Sequence, residues 1–138
     1  MAIKYRIHEQ QNALTKQMQY TARIVPVEPL GLDDIVDGIE KTSTVSSADI
    51  KAVLDALQFE VIRALKAGNS VRLGDLGSFR PTLSCRAALS ADAFTIANLK
   101  GVRVRFTPSA RMETELKLDR VSVRLVTDDA PADDEGGL

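Results

Sequence analysis

The side chains in this sequence that could act on another molecule are cations. Arg103 and Arg105 lie two apart in GVRVRF, and Arg72, Arg80, Arg86, Lys100 and Arg111 surround them. The stretch 72–111 holds seven bases and two acids. On a strand, residues two apart project from one face about 7 Å from each other. Paired guanidinium groups in that arrangement suit phosphates, whose neutralisation releases counterions and drives sequence-independent attachment. A single arginine on a wet strand face means little; seven bases with the acids kept elsewhere form an electrostatic footprint. Pro108 and SARM after it predict a helix start, where free N–H groups beside Arg111 suit another phosphate. Other chemistry lacks parts. Cys85 and His8 are each the only residue of their type, so neither a disulfide nor a cysteine metal cluster can form within the chain. No serine has a recognisable base, and Gly74 and Gly77 lack the lysine-threonine ending of a phosphate-cradling loop. The sequence therefore predicts no enzyme, no cofactor, no metal and no small-molecule substrate.

The net charge of −1 argues against nucleic acid until its distribution is read. Residues 128–138 carry five acids and no base, so residues 1–127 alone have a net charge of +4. Residues 28–66 stand at −4 and residues 72–111 at +5. An acidic body, a basic middle and an acidic tail are the expectation, with the tail disordered. No apolar run approaches the roughly 18–20 residues of a membrane span, and the start, MAIKYRIHEQ, lacks a secretory apolar core. The expected location is cytoplasmic.

Those cations need elements to hold them. Ile3, Tyr5 and Ile7 alternate with Lys4, Arg6 and His8, and MQYTARIVPV is rich in β-formers, which predicts an N-terminal hairpin over residues 1–30. Helical spacing starts at Leu32, with Asp33 and Asp34 in the first turn favouring the helix dipole. Ser46 predicts the cap of a second helix over 47–67, with Gly68 as its stop. Ile50, Val53, Leu54, Leu57, Val61 and Leu65 form its main apolar stripe. Phe59 and Ile62 fall on the other side, which predicts burial against two surfaces, one of them a second subunit. The alternative cover for Phe59 and Ile62 is the N-terminal hairpin. SVRL predicts a strand, GDLG a turn, and residues 79–85 a strand in which Pro81 marks an edge or bend. Residues 87–100 read either as a short turn capped by Ser90 or as the tip of an arm. In GVRVRF, Val102, Val104 and Phe106 point inward and Arg103 and Arg105 outward. A short helix over SARMETELKL and a strand over 121–126 pairing with the hairpin complete the reading.

Residues 31–118 resemble the HU/IHF family of bacterial histone-like proteins, and the extra hairpin resembles the divergent HU-related branch of Bacteroidetes. Two motifs carry the likeness: GDLGSF, Gly74 to Phe79, entered from SVRL, and FTPSARM, Phe106 to Met112, ahead of the last helix. The resemblance implies an α+β fold. Two helices form a dimerisation body, an antiparallel sheet forms a saddle with a protruding arm, and a short C-terminal helix closes it. Strand 119–127 and tail 128–138 follow. It further implies a homodimer joined through Leu54, Leu57, Phe59, Val61, Ile62, Phe79 and Phe106, with double-stranded DNA bound by Arg72, Arg80, Arg86, Lys100, Arg103, Arg105 and Arg111. The function so implied is architectural, nonspecific duplex binding in the nucleoid. One departure stands out: the family's Arg-Asn-Pro arm tip, whose proline wedges between base pairs, has no counterpart here, and Pro81 lies near the arm's base. Leu89 or Phe94 could serve as a wedge, with packing the expected role of each. The alternative is an HU-like interaction or structural module that has lost DNA binding, which the near-neutral charge favours. The acidic tail reads first as a solubilising end; the sharper reading is that it competes with DNA for the saddle.

Overall fold

Alternating apolar and polar residues make IKYRIHEQQ a strand, β1 (Ile3–Gln11), which folds back antiparallel onto β2 (Met18–Ile24). Asn12 builds the connection: its Oδ1 accepts from the N–H of Leu14 at 2.8 Å and of Thr15 at 3.2 Å. That is the local bonding for which asparagine is favoured in turns. The computed structural model describes residues 1–127. It divides into two units: Met1–Pro29 with the chain from Glu115 onward, and Leu30–Thr114.

In the first unit the strand near the C-terminus, β6 (Val123–Leu125), adds parallel to β1, giving the order β2-β1-β6. The pairing expected for 121–126 is thus present over three residues. Register sorts the side chains onto two faces. Ile3, Tyr5 and Ile7 share theirs with Ala22, Ile24, Val123 and Leu125, while Lys4, Arg6 and His8 share theirs with Thr21, Arg23 and Arg124.

The second unit starts with α1 (Leu32–Thr42) and α2 (Ser47–Lys66). Asp34 Oδ2 accepts from the Gly31 N–H at 2.9 Å, and Ser46 Oγ accepts from the Asp49 N–H at 3.3 Å, so side chains satisfy both helix starts. Gly68 takes a left-handed φ of 85° just past α2, the conformation expected of a stop. Only Val36 of α1 and Ile50 of α2 are buried among the apolar side chains of the described residues. On α2, Leu54, Val61 and Leu65 are half-buried beside Ile50. Val53, expected in the same stripe, is 65% exposed, because it sits at the stripe's margin, about 80° around the helix from the mean direction of the other five.

Three antiparallel strands follow, β3 (Val71–Arg72), β4 (Gly77–Cys85) and β5 (Leu99–Pro108), in the order β3-β4-β5. The β3–β4 turn needs its glycines. Gly74 has φ 54°, and Gly77 has φ 152°, where a Cβ would stand against the Thr107 carbonyl and 2.8 Å from the Phe106 ring. Pro81 lies within β4 opposite Val104; β3 is too short to reach it, so the missing N–H falls where β4 has a partner on one side alone. α3 (Ala110–Glu115) closes the unit. Its start differs from the expectation: Pro108 is the last residue of β5, and Ser109 caps the helix, its Oγ accepting from the Met112 N–H at 3.0 Å. The helix ends at Glu115 rather than Leu118.

Candidate nucleic-acid interface

The register of β3, β4 and β5 decides which cations act together. Arg80 lies opposite Arg105, Thr82 opposite Arg103, Ser78 opposite Thr107, and Arg72 opposite Ser78. Since strand residues alternate, Arg72, Arg80, Arg103 and Arg105 share one face of the sheet with serine and threonine between them. Val71, Phe79, Pro81, Leu83, Val102, Val104 and Phe106 take the other face. A concavity of about 650 Å³ runs beside Arg80, Thr82, Ser84, Arg103 and Arg105. Leu83, Cys85 and Val104 complete its lining, and its guanidinium groups donate hydrogen bonds in a fork that matches phosphate oxygens.

The other expected cations sit elsewhere. The β4–β5 register slips between Ser84 and Cys85, leaving Lys100 opposite no residue of β4. Arg86 follows β4; its N–H bonds the Asn98 carbonyl at 2.8 Å, and Asn98 Nδ2 returns a bond to the Arg86 carbonyl at 3.2 Å. That exchange clamps the start of the connection over 86–98. Within it Ser90 Oγ accepts from the Ala93 N–H at 3.2 Å, so the capped turn is the local structure adopted. Arg111 lies at the opposite end of the hairpin, its Nη1 2.9 Å from Asp75 Oδ2. With the bond from Ser109 Oγ to the Asp75 carbonyl, it ties α3 to the β3–β4 turn.

The apolar face shows what sequence spacing misses. Val102, Val104 and Phe106 point to the side away from the arginines as expected, yet they are 65%, 52% and 48% exposed. Among the described residues these side chains join no buried core. Phe79 and Phe106 meet across the strands with ring centroids 5.2 Å apart at 50°, a tilted pairing worth roughly 0.5–1.5 kcal/mol beyond burial. Leu57, Phe59 and Ile62 on α2 are exposed too. Leu89, for which packing was the expectation, is fully exposed in the connection, because the turn capped by Ser90 gives it no neighbour to bury against. No helix of the described residues is long and apolar enough to cross a membrane.

Comparison with known proteins agrees with this architecture. A family model described as HU domain fused to wHTH, Ig, or glycine-rich motif matches residues 1–122. A chain from Bacteroides vulgatus, described as a candidate bacterial DNA-binding protein, superposes with a TM-score of 0.64 over 92% of this chain at 18% identity. The match takes in 50% of that protein, so the present chain spans half the length of this relative. A mutant of HU from Thermotoga maritima matches over 64% of this chain and 100% of its own, with a TM-score of 0.49 and 18% identity. No curated protein matches.

Proposed function

The chain belongs to the HU-HIG family, HU domains fused to wHTH, Ig or glycine-rich motifs, and from that premise we propose that it binds duplex DNA architecturally, as a homodimer in the nucleoid, without catalysis. One observation carries the reading: the β3-β4-β5 sheet sets four arginines on one face and its apolar residues on the other. The arginine face offers guanidinium groups to phosphate oxygens, the sequence-independent part of a duplex, so it supports nonspecific attachment. The dimer completes the other side. Two buried apolar side chains are too few for a described chain of this length, and small folds with exposed apolar surface complete their cores by association.

The test is a titration of the full chain against linear, nicked and pre-bent duplexes at about 50 and 200 mM salt. Binding that weakens steeply with salt and tolerates sequence change supports the proposal. Absence of duplex binding at the lower salt overturns it and favours an HU-like interaction module, a reading to which the net charge of −1 and the missing Arg-Asn-Pro tip lend weight.

A further inference from the structure

The β2-β1-β6 sheet has a polar face of its own. Lys4, Arg6, His8 and Gln10 of β1 lie beside Gln19, Thr21 and Arg23 of β2 and Arg124 of β6. Not one of these positions is an acid. Two like-charge pairs stand directly opposite across neighbouring strands, Arg6 with Arg23 and Lys4 with Arg124. Strands in a sheet run about 4.8 Å apart, and like charges so placed oppose sheet formation by roughly 0.2–1 kcal/mol per pair. Glu9, the acid of β1, points to the other face, where it accepts a hydrogen bond from Tyr20 at 3.4 Å. A concavity of about 300 Å³ is lined by Arg6, His8 and Arg23 together with Ile7, Ile24, Val25 and Pro26, so two of the cations border a recess.

We infer that this face is a second phosphate-binding surface, which takes the DNA backbone independently of the arginines on the β3-β4-β5 sheet. The inference rests on the DNA-binding reading for the identity of the polyanion. The chemistry is the same on both sheets: cations on alternate strand positions, polar uncharged neighbours, and no carboxylate among the strand positions of the face. A phosphate accepts from two neighbouring cations at once, so cations set side by side on one face favour its binding. Arg6 and Arg124 already hold an interaction in the structure, so a bound phosphate exchanges for it.

The experiment compares full-length wild type with a triple variant, Lys4→Gln, Arg23→Gln and Arg124→Gln, in duplex titrations across salt. The log–log salt slope of the variant is expected to shrink by about two to three for each subunit in contact with the duplex, with at least tenfold weaker binding at low salt. Its circular dichroism should match that of the wild type, so that a lost slope reads lost phosphate contact and not unfolding. A charge-preserving triple variant, Lys4→Arg, Arg23→Lys and Arg124→Lys, should keep the wild-type slope. An unchanged slope in the glutamine variant, with wild type binding normally, overturns the inference and leaves the DNA-binding reading intact. A slope that falls equally in the charge-preserving variant overturns it as well, since the role is then structural. A wild type that ignores duplex but is retained on polyglutamate through these residues overturns both readings and makes the partner an acidic peptide.

Discussion

Arg80 and Arg105 stand directly opposite each other on β4 and β5, so the sheet carries two like charges side by side on its polar face. Such a pair works against the fold and for a polyanion. Arg105→Gln should therefore raise the unfolding free energy by a few tenths of a kcal/mol, within the roughly 0.2–1 kcal/mol range of cross-strand pairs, while weakening duplex binding. Arg103→Ala with Arg105→Ala should reduce affinity further and lower the salt slope by about two for each subunit in contact with the duplex. Chemical denaturation and salt titration read the two effects separately. Wild-type DNA binding by the double variant removes the arginine face from the interface.

The exposed side of α2 makes a prediction about assembly. Phe59 is 67% and Ile62 54% exposed in the single chain. If a second copy covers them, Phe59→Lys with Ile62→Lys places charges in an apolar contact, a substitution costing several kcal/mol. Sedimentation should show the mass fall from dimer to monomer, with helical circular dichroism reduced. A dimer that persists at micromolar concentration excludes this side of α2 from the subunit contact.

Leu89 separates binding from bending. Its side chain is fully exposed in the connection between β4 and β5, where apolar wedges in minor-groove proteins unstack a base step. Leu89→Ser should leave affinity within about threefold, roughly 0.6 kcal/mol by the usual conversion, and straighten the bound duplex. Energy transfer between dyes at the duplex ends reads the bend. Equal transfer for both proteins rules Leu89 out as a wedge.

The acidic segment 128–138 lies outside the described residues. Its five acids are expected to compete with phosphate for the arginine face, so removing 128–138 should tighten duplex binding at low salt and matter less at high salt. Identical affinities for the truncated and full chains at low salt dispose of the competition.

Much of the local structure was legible because its causes are local. Ser46 and Gly68 marked the ends of α2 through hydrogen bonding and a left-handed φ that depend on adjacent residues. IKYRIH and VRVRF announced strands through alternation alone. Local reasoning failed at Pro108, where β5 pairing kept the proline as the last strand residue and left Ser109 to cap α3. It also failed at Val102, Val104 and Phe106, whose common face was right but whose burial was not: alternation fixes the direction of a side chain, whereas burial depends on what packs against it, and these three stay largely exposed.

The cations divide the same way. By itself the sequence determined that a basic stretch lies between acidic ones, and that Arg103 and Arg105 share a face, because strand alternation is a property of one backbone. Only the tertiary structure decided that Arg72 and Arg80 join them, that Lys100 falls at a register slip, that Arg111 is drawn to Asp75, and that Arg23 and Arg124 come beside Arg6 and Lys4. Register between strands is set by turn geometry and by the packing of whole faces, so residues distant in the chain acquire a common surface only once the sheets have formed.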